Sequence, residues 1–401
     1  MTAADVERVV VVGAGHAGVQ FADSLRSGGF EGAISLVDEQ PAQPYQRPPL
    51  SKDFLAEFVG DGCELDALPL RAPRFFEDAA IELRRGMRVA EIDRGNSELV
   101  IATAGGGESE RVRYDRLVLA TGAENRALGV PGAGAVGIFG LRTLADARAL
   151  RQALTTARNV VVVGAGFIGL EFAAAVRERG VNVTVLEYAP RAMSRATSPL
   201  LGEWIEAAHR GAGVELHFDS AVVACETDGS GRVTAVRTQG GGAYSADLVL
   251  YGIGVLPRVG LAERAGLEVG NGIVVDGSLR SSDPRIYAIG DCANFPYRGV
   301  PTRLEAVQNA GDQARYAARH MLTGAEDPFD ALPVFWSHQG SVKLHIAGLT
   351  RADDEYEVVG DPNSGKFSVR SYRLGRLAAV ESVGDARAHM NARRELHGIG
   401  R

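Results

Sequence analysis

Two VVVVGAG runs, Val9 to Gly15 and Val160 to Gly166, each meet a third glycine three residues later, at Gly18 and Gly169. Glycines at this spacing have a chemical use. The first, Gly13 or Gly164, closes a tight turn; the second, Gly15 or Gly166, lets backbone approach a pyrophosphate; the third lets a helix lie against its strand. The helix N-terminus then offers unpaired N–H groups and a partial positive charge to the phosphates. A short glycine pattern alone is weak, but here both copies follow a four-valine run and precede an apolar helical pattern, Val19–Phe21–Leu25 or Leu170–Phe172–Val176. Each unit needs a second strand ending in an acid for a ribose hydroxyl. AISLVDEQ supplies Asp38 and Glu39, and VNVTVLEY supplies Glu187. The chain therefore reads as carrying two dinucleotide sites rather than two packing turns.

The elements that must position these residues follow along the chain. A Pro-rich stretch, PAQPYQRPPLSKDF, and short strands around RRGMRVAEID and SELVIAT follow the first unit. The run Leu117 to Leu119 breaks at Ala120–Thr121–Gly122 and returns to the first cofactor. The second unit then begins, and ADLVLYGIGVLP, with Gly254, leads back toward SSDPRIYAIGDCANF, a strand ending at Gly290–Asp291. Alternating strands dominate beyond MLTGAEDP. The expected domains are 1–115 with 246–320 for the first nucleotide, 116–245 for the second, and a small α+β domain over 321–401. The fold class is α/β with two Rossmann-like domains plus that C-terminal domain.

Composition narrows the function. With 401 residues, 45% hydrophobic content and 50 glycines, a large α/β core is expected. No apolar stretch approaches the ~20 residues of a membrane span, and MTAADVER has no signal-peptide pattern, so a soluble cytoplasmic protein is expected. A net charge of −7 argues against nucleic acid, while 43 basic residues leave room for a local docking patch. Cys63, Cys225 and Cys292 form no C-x-x-C pair, so disulfide reduction is not expected; Cys292 reads as a small buried residue rather than a peroxidatic thiol. The eight histidines show no ligand spacing, and no metal is expected.

Two dinucleotide units in one chain imply electron traffic between two cofactors, and flavin with nicotinamide is the natural pair. Here the motifs GAGHAG, YQRPPLSKDF, LVLATG, LRTLADAR, GAGFIGLE, LYGIGVLP, IYAIGDCA, RLEAVQNA and PVFWSHQ resemble, in order and over nearly the whole length, the FAD-dependent ferredoxin reductases of oxygenase systems. The resemblance implies a glutathione-reductase-like architecture without the redox disulfide. It further implies that Ala17, Arg47, Pro49, Lys52, Val89, Arg142, Asp291 and Val307 join the first glycine unit around FAD, with Lys52 near the flavin ring. Tandem Pro48–Pro49 forms a rigid wall without a thiol. The family pattern places the adenosine acid at Glu39, whereas strand-end counting favours Asp38, so both stand. Ile168, Glu171, Glu187, Gly254 and Glu305 fall to NADH. Glu171 is expected to reach the nicotinamide carboxamide, and Glu187 to repel a 2′-phosphate and so prefer NADH over NADPH. Arg191 lies close enough in sequence to assist a phosphate, but it is expected to be an exposed arginine. Trp336 resembles the family tryptophan near the flavin edge that relays electrons, with a packed core tryptophan as the alternative.

The expected reaction is hydride transfer from NADH to FAD, followed by two single-electron transfers to a [2Fe-2S] ferredoxin serving a cytochrome P450 or a Rieske oxygenase. Docking would be transient and electrostatic, on a basic face drawn from Arg71, Arg74, Arg84, Arg85, Arg88, Arg298 and Arg303, by a monomer or weak dimer. Two rivals share the scaffold: an NADH-dependent reductase of oxygen, quinones or other small acceptors, and an NADH-responsive binding flavoprotein resembling apoptosis-inducing factor.

Overall fold

The computed structural model describes residues 6–52, 54 and 68–398, so Cys63 lies outside the described residues. They form two compact units, one from Met1–Gln46, Glu64–Glu124 and Leu256–Ala331, the other from Arg47–Cys63, Asn125–Val255 and Leu332–Arg401.

In the first unit the valine run becomes the strand Arg8–Val12, central in a five-stranded parallel sheet. Its order is Ile286–Ala288, Arg116–Leu119, Arg8–Val12, Ala33–Asp38, Ile81–Arg85. Val9 to Val11 are completely buried, as a strand covered on both faces must be. The helix His16–Ser27 follows, burying Val19, Phe21 and Leu25. A three-stranded antiparallel sheet, Met87–Asp93, Glu98–Thr103 and Ser109–Arg113, is added to this unit.

The second unit repeats the plan. Its parallel sheet runs Glu215–His217, Asn182–Leu186, Asn159–Val163, Leu248–Tyr251, Ile138–Gly140, with the helix Phe167–Arg177 after the central strand. It too carries a three-stranded antiparallel sheet, Val222–Thr227, Val233–Thr238 and Ala243–Ser245.

The boundaries differ from those expected at three places. Arg116–Leu119 pairs with Arg8–Val12 and completes the first sheet instead of opening the second domain, because its apolar run is buried on both faces. Leu248–Tyr251, expected to be the return to the first domain, pairs in parallel with Asn159–Val163, and the return comes at Leu256. The Pro48–Ser51 turn groups with the second unit through the Ser51 hydroxyl described below.

The C-terminal strands form one antiparallel sheet in the order Val334–Gln339, Val342–Gly348, Arg376–Val383, Lys366–Arg373, Glu355–Asp361. The helix Ala386–Gly398 covers it, burying Ala392 and Leu396 against Val334, Ala347 and Val380. This sheet groups with the second compact unit, and polar side chains tie it there. Glu381 accepts hydrogen bonds from the backbone N–H and hydroxyl of Ser198, the N-cap of the helix Pro199–Gly211. Trp204 donates its indole N–H to the Pro362 carbonyl at 2.9 Å.

Burial pushes the Glu381 carboxyl up to about 7, against the hydrogen bonds from Ser198 and the Arg191 cation, which favour the charged form. A carboxyl whose folded value lies above its unfolded one binds its proton more tightly when folded. Its contribution is therefore fully present in acid and is lost as pH rises from about 4.5 through 7. That interval corresponds to about 3 kcal/mol. Glu381→Gln keeps an acceptor for the Ser198 N–H and removes the titration. Thermal unfolding at pH 5 and pH 8 is expected to show the variant more stable than the parent at pH 8 and equal to it at pH 5. An unchanged difference between the two pH values would show that Glu381 does not carry it.

Candidate cofactor sites

The two glycine motifs fold alike. Gly13 and Gly164 sit at φ of 106° and 105°, where a side chain is strained. A Cβ on Gly18 would stand 1.9 Å from the Gly13 carbonyl oxygen, and one on Gly169 would stand 2.1 Å from that of Gly164. Those glycines exist for helix–strand contact. Gly15 and Gly166 behave differently, since a Cβ on either meets nothing within 4 Å. Open space therefore lies where each helix begins, and neither helix has a side-chain cap on its first N–H groups. Open glycines beneath uncapped amide donors fit dinucleotide phosphates in both units. Ile168, just inside the second motif, is 40% exposed.

The register of the two sheets is the same. The Gly13 N–H donates to the Val37 carbonyl at 2.8 Å, and the Gly164 N–H donates to that of Leu186 at 2.8 Å. The next residues are Asp38 and Glu187, which therefore occupy matching positions. Glu187 accepts from the backbone N–H groups of Ala165 at 2.6 Å and Ala189 at 2.8 Å, which hold the carboxylate at the strand end. Glu39 instead forms an ion pair with Arg258. Arg258 also bonds through its backbone to the Thr121 hydroxyl and the Gly122 carbonyl, and it carried no distinguishing mark in the sequence.

In the first unit Gly290 closes on the start of the helix His16–Ser27. Ala17 is buried, and a Cβ on Gly290 would stand 3.0 Å from its Cβ. The Gly290 N–H donates to the buried Gln313 side chain at 2.7 Å. Asp291 lies in the turn Gly290–Cys292, and its carbonyl accepts from Arg303 at 3.3 Å. Val307 opens a helix, Val307–Thr323, with no side-chain cap. Ala120 is buried, and Val89 is buried in the three-stranded sheet, beside a bulge. Glu305 is exposed and paired with Arg303 at 2.7 Å. Arg303 itself is only 9% exposed, so it does not belong to a basic docking face; it is held inside by Glu305, Asn271 and the Asp291 carbonyl. Among the other proposed docking cations, Arg71 pairs with Asp23, Arg84 with Glu110 and Arg298 with Asp330, while Arg74, Arg85 and Arg88 are exposed.

In the second unit Glu171 is not a solvated helical glutamate. It is 5% exposed, and both its oxygens are engaged. Oε1 meets Lys52 Nζ at 3.0 Å and accepts from the Ser337 hydroxyl at 2.7 Å; Oε2 accepts from the Ser51 hydroxyl at 2.6 Å. The Pro48–Ser51 turn, begun by tandem prolines, delivers Ser51 and Lys52 together. Arg47 donates to the Arg142 carbonyl at 3.1 Å. Arg142 precedes Thr143, the N-cap of the helix Leu144–Leu154. Gly254 has φ of 99° and accepts from the Arg126 N–H at 3.0 Å.

Arg191 is also not the exposed arginine expected. Its guanidinium is half-buried and donates to the carbonyls of Ser194 at 2.9 Å and Thr197 at 2.8 Å. Trp336 is half-buried on the strand Val334–Gln339; alternation turns Ser337 to the opposite face and buries it. Ser51, Ser337, Gln339 and His209 were missed as site residues. The only signal for two of them was their place in PVFWSHQ. Cys225 and Cys292 are free and buried, and burial pushes both thiols up, which disfavours thiolate chemistry. Among the described residues there is no cluster suited to a metal ion, and no helix is long and apolar enough to cross a membrane.

Comparison with known proteins agrees with this architecture. Residues 7–314 match the family model described as pyridine nucleotide-disulphide oxidoreductase, and 334–398 match that described as reductase C-terminal. Rhodocoxin reductase of Rhodococcus erythropolis is 45% identical over 97% of this chain and 89% of its own. The 5,5'-dehydrodivanillate O-demethylase ferredoxin reductase subunit of Sphingobium sp. is 40% identical over 96% of this chain and 92% of its own. The solved covalent putidaredoxin reductase–putidaredoxin complex superimposes with a TM-score of 0.91 at 37% identity, covering 97% of this chain and 92% of that one.

Proposed function

The chain belongs to the pyridine nucleotide-disulphide oxidoreductase family, and from that premise we propose how its own residues divide the work of a ferredoxin reductase. It is an oxidoreductase that uses FAD and NAD(H) and passes electrons to a ferredoxin. When bound, the cofactors supply the redox chemistry: NADH yields an electron pair, and FAD releases it one electron at a time.

The first unit holds FAD, with the N–H groups beyond Gly13 and Gly15 on the pyrophosphate. Asp38 takes the adenosine ribose, because it shares the register position of Glu187. Asp291 and the uncapped start of the Val307–Thr323 helix serve the same cofactor. The second unit holds NADH through Gly164, Gly166 and Gly169, with Glu187 as the ribose acceptor. Glu171 orients the nicotinamide carboxamide, and Lys52 is its counter-ion. The acceptor is a [2Fe-2S] ferredoxin, met transiently by exposed cations such as Arg74, Arg85 and Arg88.

The observation that carries this reading is the Glu187 carboxylate fixed by two backbone N–H groups, with Arg191 committed to carbonyls rather than available to a phosphate. A 2′-phosphate would meet a held negative charge, and Arg191 is engaged elsewhere. Stopped-flow reduction of the purified yellow protein is expected to favour NADH over NADPH by about a hundredfold in kcat/KM. Cytochrome c reduction is expected to require added [2Fe-2S] ferredoxin. Equal use of NADPH would overturn the ribose assignment, and ferredoxin-independent turnover with quinone or oxygen would replace the acceptor.

A further inference from the structure

The ion pair of Glu171 and Lys52 is the near end of a longer buried chain, which enters from the C-terminal sheet. His209, 3% exposed on the helix Pro199–Gly211, places Nε2 2.8 Å from Gln339 Oε1. Gln339 Nε2 donates to the Ser337 hydroxyl oxygen at 3.1 Å, and the Ser337 hydroxyl donates to Glu171 Oε1 at 2.7 Å. Ser337 and Gln339 are 0% and 2% exposed. Gln339 Nε2 also lies 3.6 Å from the Met193 sulfur.

The direction of every bond in this chain is fixed. An amide oxygen can only accept, so His209 must carry its proton on Nε2. Burial lowers the His209 pKa, which favours the neutral ring, and Nδ1 then has no hydrogen-bond partner among the described residues. The amide of Gln339 must then turn its N–H toward Ser337 and fill a lone pair there. The hydroxyl proton of Ser337 is left pointing at Glu171. Hydrogen bonds aligned this way polarise one another toward the carboxylate.

We propose that Ser337, oriented by Gln339 and His209, is a positioning residue for the NADH reaction, through which the C-terminal sheet holds Glu171 aimed. This rests on the assignment of Glu171 to the nicotinamide. The two strand positions fall within 334–398, whereas Glu171 falls within 7–314. The small C-terminal domain thus contributes to nicotinamide chemistry through a hydroxyl rather than through a group that touches the cofactor.

The test uses the FAD-loaded protein with Ser337→Ala, Ser337→Thr, Gln339→Leu and the reference variant Glu171→Gln. Ser337→Ala removes one of the donors that hold the Glu171 carboxylate in place. NADH-driven flavin reduction at saturating NADH is expected to slow about tenfold. NAD⁺ affinity, measured by calorimetry on the oxidised protein without turnover, is expected to fall several-fold. Ser337→Thr, which keeps the hydroxyl, is expected to restore both, and Gln339→Leu to lower them by a smaller amount. A reduction rate and NAD⁺ affinity for Ser337→Ala that superimpose on the parent, while Glu171→Gln is impaired, would overturn the role of Ser337. Unimpaired reduction in Glu171→Gln would instead overturn the nicotinamide assignment itself.

Discussion

Glu171→Gln is expected to slow NADH-driven reduction of the bound flavin roughly a hundredfold, the size of effect that misplacing a reacting group produces. The carboxylate receives Lys52 and Ser337 on one oxygen and Ser51 on the other. An amide can accept only at its oxygen, so one of those donors must face an N–H. Lys52, 15% exposed, is left without its counter-charge. Removing one member of a buried pair costs about 3–5 kcal/mol because the surviving charge stays desolvated. Thermal unfolding is therefore expected to show a loss of that order in Glu171→Gln and in Lys52→Met. The double variant Lys52→Met/Glu171→Met removes both charges and is expected to regain most of the stability but none of the rate. Stopped-flow absorbance at the flavin band separates these outcomes. If the double variant recovers both stability and rate, the pair is a structural element only.

Gly18→Ala and Gly15→Ala, three residues apart on one motif, are expected to fail in opposite ways. The added methyl of Gly18→Ala falls 1.9 Å from the Gly13 carbonyl oxygen, a backbone atom, and 3.3 Å from Val11 Cγ1. Helix and strand must separate, and Val10 and Val11, wholly buried beneath them, lose their packing. The cost is expected to reach about 3 kcal/mol or more, at the upper end for overpacking. The same methyl on Gly15 meets nothing, and φ there is −77°, which any residue adopts. Gly15→Ala should leave the unfolding of the FAD-free protein within about 0.5 kcal/mol of the parent, as a surface change does. Its FAD affinity should nevertheless fall tenfold or more, because the methyl occupies the space the phosphates need. Fluorescence titration with FAD beside thermal unfolding of the FAD-free protein resolves the two. FAD affinity retained in Gly15→Ala would remove the pyrophosphate from that glycine.

Much of this was legible in the chain. The valine runs, the three glycines of each motif and the acid at the end of the next strand obey local rules: burial on both faces, a turn at positive φ, a close approach. Local rules are written in adjacent residues, so Gly13, Gly18, Gly164, Gly169 and Glu187 declared themselves. The ends of the domains did not. Arg116–Leu119 and Leu248–Tyr251 are both short apolar strands, and either could have joined either sheet by composition. Which neighbour each found depends on pairing across more than a hundred residues in one case and nearly ninety in the other. The environment of Glu171 was equally hidden. Its partners come from a proline turn 120 residues before it and a strand 166 residues after it. Nothing in a helical glutamate signals that a lysine and two serines will enclose it, just as nothing in Arg191 signals that carbonyls will claim it. The amino-acid sequence by itself determined which cofactors this protein is built to bind, because phosphate and ribose recognition is local. Only the tertiary structure decided how the carboxylate proposed to guide electron transfer is held, because a buried charge takes its properties from whatever the fold packs around it.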